Sequence, residues 1–353
     1  MNNYNKKVDG KSLAKETFYA LLAGVVGIVF VSIFTHNWNF IALIKAFNPV
    51  LLLFAFILMF VDWLIEAYVL KLIAQMLDYE IPFKECLNVF LIGGFFSRIT
   101  PFSGGGGEPF QIYLLSRDSK IKPGDSTAIV AIKTFIGTFT RITIFLLLPL
   151  WLAIAKPNWH LSRGVNILIN SGIALTFLFF SIFVFAMFKP FVVEKWIDSI
   201  TRKRFFRRIV PKEKLETTIQ QIHKIVVDFE NARNKIFSAN KDEVAFTFLL
   251  SFISWGLVLF TPVLLMRGLG IQSPWPEIVI TALIFYIASA YIPTPGGSGT
   301  AEVGILALFA GLIPQPLIGV FIIMWRVFTH YSLIIFGGIL TLKDFRKKKK
   351  KKE

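Results

Sequence analysis

The sequence predicts an all-α integral membrane protein, with about six full spans and two re-entrant helical hairpins arranged as an inverted repeat. Three observations predict it. The 353-residue chain is 55% hydrophobic and 15% aromatic, with a mean hydropathy of +0.63. A soluble domain is about 45–50% apolar, and here the excess is gathered in long uncharged runs. Two glycine-rich stretches copy each other: Thr100-Pro101-Phe102-Ser103-Gly104-Gly105-Gly106-Gly107-Glu108 and Thr294-Pro295-Gly296-Gly297-Ser298-Gly299-Thr300-Ala301-Glu302. Pro and Gly break helices, and paired breaks in two halves of a membrane chain point to a transporter-type site. Finally, lysine and arginine alternate from loop to loop, which sets topology.

Taken in order, residues 1–16 form a basic N-terminus with Lys6, Lys7, Lys11 and Lys15. The apolar run Phe18 to Phe34 follows, and Thr35-His36-Asn37-Trp38 after it offers no small-x-small cleavage site. It reads as a first span, near 17–35, rather than a signal peptide. The next span, near 49–77, carries Asp62, Glu66 and Lys71. Asp62 and Glu66 are four residues apart and share a helix face.

Residues 86–115 hold two apolar pieces too short to cross alone, separated by the first glycine run. A span needs about 20 apolar residues, so the pair reads as a hairpin, with Pro109 in the first turn of its returning half. Spans near 126–155 and 165–188 follow, the first carrying Lys133 and Arg141 and ending near Trp151 and Trp159. The loop 189–243 has 13 Lys and Arg against 8 Asp and Glu, and includes Arg202-Lys203-Arg204-Phe205-Phe206-Arg207-Arg208. A span near 244–266 leads to the second hairpin, 277–313, then to a final span near 317–342 carrying Arg326. Residues 344–353 are a lysine-rich tail.

The basic segments are the N-terminus, residues 116–125, the 189–243 loop and the tail. The positive-inside rule places them all in the cytoplasm, so both termini are expected there and residues 17–343 form one polytopic domain. The two hairpins then enter from opposite faces. A net charge of +16 points to the anionic cytoplasmic leaflet, which attracts juxtamembrane lysine and arginine, rather than to nucleic acid. One cysteine, Cys86, excludes an intrachain disulfide, and no Walker A motif, catalytic triad or metal-ligand spacing is visible. No cofactor and no metal are expected.

Irregular backbone cannot face lipid, so the glycine turns must be buried or line a wet cavity. The candidate substrate-binding residues are Arg98, Thr100, Pro101, Gly105, Gly106, Glu108, Lys133, Arg141, Thr294, Pro295, Gly296, Gly297, Glu302 and Arg326, with Asp62 and Glu66 secondary. A half-helix starting near Glu108 or Glu302 presents a positive dipole end to an anion such as a lipid phosphate, and arginine can grip phosphate bidentately. Structural readings stand beside these. Glu108 and Glu302 fit helix caps equally well, and Arg326 with Glu302, or Lys133 or Arg141 with Glu108, fit internal ion pairs. Asp62 and Glu66 fit a cationic headgroup, a proton, or a pair with Lys133.

The double motif, with Tyr113-Leu114-Leu115 and Arg117 after the first copy and Val303-Gly304, Trp325-Arg326 and Tyr331 after the second, resembles the lysylphosphatidylglycerol synthase/flippase transmembrane-region family, also called the flippase-like or 0104 family. The resemblance covers about residues 14–343. It implies a lipid translocase in the cell membrane, moving an anionic or aminoacylated phospholipid or another polar lipid between leaflets. Two-domain members join this region to a cytoplasmic domain that transfers lysine from charged tRNA, and no counterpart of that domain is expected here. The alternatives are a phosphatidylglycerol lysyltransferase-type synthase, or a non-transporting membrane partner of a separate lipid-modifying synthase. Membrane phospholipids are the expected partners, and self-association is compatible with the sequence.

Overall fold

The structure, a computed structural model, describes residues 47–100, 106–155, 163–201, 212–289 and 299–350, and every regular element among them is a helix. The expected first span at 17–35, most of the two glycine-rich turns and the Arg202 to Arg208 cluster lie outside the described residues. The elements are α1 (Pro49–Gln75), α2 (Phe83–Ile99), α3 (Glu108–Asp118), α4 (Pro123–Ala155), α5 (Arg163–Phe188), α6 (Pro190–Thr201), α7 (Lys212–Phe237), α8 (Lys241–Gly268), α9 (Trp275–Ser289), α10 (Thr300–Phe309), α11 (Gln315–Arg326), a π-helical turn (Val327–Tyr331) and α12 (Ser332–Lys350).

Four stretches among the described residues are long and apolar enough to cross a membrane: Pro49–Gln75, Pro123–Leu147, Lys241–Gly268 and Gln315–Asp344. A fifth comes from α5, whose end meets α6 at a 97° bend. Several such helices in one chain are those of a multi-pass membrane protein. The outward faces agree, since α1 turns Leu53 (57% exposed) and Phe54 (51% exposed) away from the protein. Its inner face carries Ala55, Met59, Trp63 and Ala67 at four-residue spacing, which is one helical stripe.

Helix α1 packs along α8, the most extensive helix pair in the structure, while Met59 and Trp63 of the stripe meet Leu91 and Leu333 of α2 and α12. The buried apolar residues divide into two large cores and a small cluster of Met59, Trp63, Leu91 and Leu333. One large core surrounds the first hairpin and draws on Leu70, Ile73, Phe96, Leu115 and Ile129. The other surrounds the second hairpin and draws on Leu265, Ile278, Phe309, Phe321 and Trp325. Helices α2–α3 and α9–α10 fall in the two stretches expected as hairpins, and each is a packed pair of short helices of 10 to 17 residues.

The two breaks are secured by different means. In the first, α2 and α3 meet almost backbone to backbone. A Cβ on Gly107 would lie 2.2 Å from the Gly93 carbonyl oxygen and 2.3 Å from Ser97 Oγ, and one on Gly106 would strike Thr100 Oγ1 at 1.7 Å. Only glycine fits there. Phe96 and Phe110 stack across the same junction, with centroids 3.4 Å apart, and Thr100 Oγ1 donates to the Phe96 carbonyl at 2.8 Å. Pro109 sits in the first turn of α3, as expected.

In the second break a carboxylate takes over. Glu302 is wholly buried. Its Oε2 accepts the Gly299 N–H at 2.7 Å, and its Oε1 accepts from Arg326 Nε at 2.8 Å. Gly299 has φ +85°, a backbone conformation that suits glycine. The half-helix therefore starts at Thr300, two residues before the expected position, and Glu302 caps it while also pairing with Arg326.

A polar rim closes the open end of the first hairpin. Tyr79 donates to Asp125 Oδ2 at 2.5 Å, Ser119 donates to Glu85 at 2.6 Å, and Arg117 reaches both Asp344 oxygens at 3.0 and 2.9 Å. Burial and then the Asp125 contact push the Tyr79 phenol up to about 12, so it remains a donor at physiological pH. The 189–243 region is more regular than the sequence reading held: α7 is a 26-residue helix packed on α4 and α6.

Two stability outcomes follow from the breaks. Gly107→Ala forces α2 and α3 apart and is expected to cost about 1–3 kcal/mol, the usual range for overpacking. Glu302→Gln strips the buried Arg326 of its counter-charge, and breaking a buried pair costs about 3–5 kcal/mol. Thermal unfolding in detergent checks both. A conservative surface change such as Lys122→Gln serves as the control and should leave the midpoint in place.

Candidate functional site

The two hairpins, with α1, α4 and α8, enclose a cavity of about 410 Å³. That is the size of an ordinary small-ligand pocket, about 300–1,000 Å³. Its lining includes Arg98, Lys133, Arg141 and Arg326, and the carboxylates Asp62, Glu66 and Glu108. Each comes from a different part of the fold: Asp62 and Glu66 from α1, Arg98 from the end of α2, Glu108 from the start of α3, Lys133 and Arg141 from α4, and Arg326 from the end of α11. Seven of the expected site residues thus share one space. The hairpin breaks deliver Arg98 and Glu108 there, because an interrupted helix exposes its end rather than its side.

The remaining candidates stand elsewhere. Glu302 lies behind the wall, fully occupied by Gly299 and Arg326. Thr100 and Gly106 build the first turn rather than the cavity surface. Pro101, Gly105, Thr294, Pro295, Gly296 and Gly297 lie outside the described residues.

The charges are arranged unequally. Lys133 Nζ lies 2.7 Å from Glu66 Oε2 and 5.3 Å from the centre of the Phe90 ring. The Glu108 pairings with Lys133 or Arg141 expected from the sequence are therefore not the ones formed: Lys133 reaches across to α1, and Arg141 lies 5.7 Å over the Trp255 ring. Ser254 of α8 donates to Asp62 Oδ1 at 2.5 Å and stands 3.2 Å from Glu66 Oε1.

Two groups are left facing the cavity. Arg98 makes no hydrogen bond and no ion pair with any described residue. Its nearest charges act only at longer range: Arg326, Asp62 and Glu108. Glu108 Oε2 is buried with no hydrogen-bond partner. A buried carboxylate oxygen without a donor is costly, and Arg98, half-buried, stands in the wall of the same cavity.

The opposite wall is aromatic. Tyr286 of α9 sits edge-on to Trp255 (5.8 Å, 89°) and to Trp325 (6.1 Å, 85°). Behind it, Phe309 and Phe321 pack on Trp325 in the second core. Sequence reasoning did not single out Ser254, Trp255, Tyr286, Gln111 or His330, all of which line the cavity. Serine, tyrosine and tryptophan are ordinary in membrane helices, so no local signal marks them. The π turn that carries His330 has no Pro or Gly to announce it. Gln111 has a weak signal, being a polar residue one turn inside a short apolar half-helix.

Comparison with known proteins agrees with this architecture. Residues 19–337 match the family described as lysylphosphatidylglycerol synthase TM region. Curated relatives include a UPF0104 membrane protein of Archaeoglobus fulgidus, 27% identical over 300 residues, covering 84% of this chain and 88% of that one. Another is the UPF0104 membrane protein MJ1595 of Methanocaldococcus jannaschii, 25% identical over 310 residues and covering 86% and 88% of the two chains. A third, from Pyrococcus horikoshii, is 22% identical over 278 residues, covering 76% and 79%. With a match of that extent along its helices, hairpins and cavity-lining segments, the chain belongs to the lysylphosphatidylglycerol synthase transmembrane-region family.

Proposed function

We propose that the protein moves a polar phospholipid between the leaflets of the cell membrane. The observation that carries this reading is the unsatisfied pair at the first break: Arg98 without an ion-pair partner among the described residues and Glu108 Oε2 buried without a donor, both residues in the wall of one cavity. A phosphate would complete Arg98, through charge-assisted hydrogen bonds that arginine can make bidentately. A hydroxyl or ammonium on the same headgroup would complete Glu108. The substrate class is therefore a phospholipid whose headgroup carries a hydrogen-bond donor beyond its phosphate. Phosphatidylglycerol and its aminoacylated forms meet that description, and the family takes its name from a lipid of that kind.

Translocation needs access from both sides, and an inverted repeat supplies it. In this reading α1 with the first hairpin and α4 forms one repeat, and α8 with the second hairpin and α11–α12 forms the other. The long α1–α8 contact then lies on the pseudo-two-fold axis, where each repeat meets its own counterpart. Six spans and cytoplasmic termini complete the topology, and the polar rim of Tyr79, Arg117, Asp125 and Asp344 would face the cytoplasmic headgroups.

Two measurements test this. In vesicles, purified protein is expected to speed exchange of fluorescent phosphatidylglycerol between leaflets, and Arg98→Ala to slow that exchange about tenfold or more. A hydrogen bond to a charged group is worth about 1.5–3 kcal/mol, and each 1.4 kcal/mol is tenfold. Exchange no faster than in protein-free vesicles sinks the proposal. For topology, a Cys86→Ser background carrying Lys122→Cys or Gln272→Cys is treated with a membrane-impermeant maleimide. Intact cells are expected to label the Gln272→Cys variant only; the reverse pattern would invert the orientation.

A further inference from the structure

The chain turns a right angle where α5 ends. Helix α5 meets α6 at a 97° bend. Helix α6 has 12 residues, too few to cross a bilayer, which takes about 20. A short helix set square to a span runs along the membrane plane. The elbow is held at several points. Pro190 opens α6 and is buried. Lys189 N–H donates to the Phe185 carbonyl at 2.8 Å, and the Lys189 carbonyl accepts the Val192 N–H at 3.0 Å. Arg233 of α7 is buried, donates from Nη1 to the Met187 carbonyl at 2.8 Å and lies 5.6 Å over the Phe188 ring. One side chain thus closes the last turn of α5 and ties it to α7.

The two sides of α6 differ in chemistry. Phe191, Glu194, Lys195 and Asp198 share one side by helical spacing, and that side meets α7. Glu194 Oε1 lies 2.8 Å from His223 Nδ1, and the Phe191 and His223 rings are 6.2 Å apart. Glu194, Lys195 and Asp198 line a small cleft there with Gln220. The opposite side carries Val192, Val193 and Trp196, and the sequence continues that apolar spacing with Ile197 and Ile200.

Trp196 is 59% exposed. Its ring stacks on Phe185 of α5, with centroids 6.0 Å apart and planes 26° apart. Phe185 is itself exposed, as are Leu178 and Ile182, and the three form one stripe of α5. On a membrane span such a stripe meets acyl chains. Trp196 therefore continues the lipid-facing surface of α5, about one helical turn from the end of the span. Tryptophan is favoured at that depth, because its ring is apolar and its N–H seeks a polar partner.

We propose that α6 is an in-plane helix docked on the phospholipid headgroup layer, with its Trp196 side seated at the boundary between acyl chains and headgroups. Lys189 and Lys195 are exposed at the elbow and beside Trp196, and lysines so placed extend to lipid phosphates. The docking bears on more than α6. Helix α7 packs on both α6 and α4. Its fit on α4 is close, since a Cβ on Gly124 would lie 2.3 Å from Asp228 Cβ and 2.8 Å from the Ile225 carbonyl oxygen. The headgroup layer is thereby linked to the helix that carries Lys133 and Arg141 into the cavity. The inference stands apart from the transport reading and does not depend on it.

The test uses the full-length chain, one copy per nanodisc of phosphatidylcholine. Subtracting the emission of Trp196→Phe, which keeps an aromatic ring against Phe185, isolates the fluorescence of Trp196. Lipids brominated near the headgroup end or near the middle of the acyl chain quench from the membrane, and iodide quenches from water. The expected result is loss of most of the Trp196 emission with shallow bromine, a smaller loss with deep bromine and little loss with iodide.

Strong quenching by iodide with none by bromine would put the face in water and overturn the proposal. Deep bromine acting more strongly than shallow would make α5 and α6 a broken span instead of a span and an in-plane helix, and would overturn it too. Protection from all three quenchers would mean that another part of the chain covers the face. Protection only in discs loaded with two chains would assign the face to a second copy. Either of these also overturns the proposal.

Discussion

An interrupted helix inside a bilayer leaves backbone donors and acceptors that lipid cannot satisfy. That constraint governs this fold, because it has two such interruptions. Each is wrapped in its own apolar core, and each is closed by a contact that tolerates little change. At the first, glycine backbones touch where any side chain would collide. At the second, one buried carboxylate both caps a half-helix and pairs with a guanidinium. The cavity lies between the two larger cores, and α1, α4 and α8 contribute residues to both.

Charges inside such a protein need partners or a purpose. Most of those here have partners. Glu302 and Arg326 neutralise each other, Lys133 holds Glu66, and Arg141 lies against an aromatic face. A buried ion pair adds little to stability over an apolar replacement, so keeping several of them in one wall favours a role beyond folding. Arg98 and Glu108 Oε2 sharpen that contrast, since both lack the contacts their neighbours have. The asymmetry between the two glycine-rich motifs is informative as well. The two glutamates occupy matching places in the two motifs, yet one is consumed by structure and the other lines the cavity with one oxygen left without a donor.

Much of this was legible in the sequence because its signals are strong. Proline and glycine inside apolar runs mark the breaks, and charges inside apolar runs mark the cavity. Arg98, Glu108, Lys133, Arg141, Arg326, Asp62 and Glu66 were singled out on that ground alone, and the structure brings them to one space. The pairing among them was not legible. Lys133 is 25 positions from Glu108 and 67 from Glu66, and only the packing of α4 on α1 decides between them. Ser254 and Tyr286 were missed for a related reason: their importance comes from what stands opposite, not from what they are. The π turn left no mark because it replaces one hydrogen-bond register with another and needs no special residue.

That turn, Val327–Tyr331, interrupts what is otherwise one 30-residue span. Each residue advances an α-helix by about 100°, and a π turn absorbs roughly one extra residue. Upstream of it, Arg326 points at Glu302. Downstream, Gly337 lies so close to α2 that a Cβ would sit 2.2 Å from the Leu91 carbonyl oxygen. An uninterrupted α-helix of this length would be out of phase between those two places by about a quarter of a revolution. The bulge therefore works as a coupling between two faces, and converting it to regular helix would swing either the guanidinium or the glycine seam out of alignment. Any motion that redistributes the bulge would turn the two hairpins' supports relative to each other without bending the span.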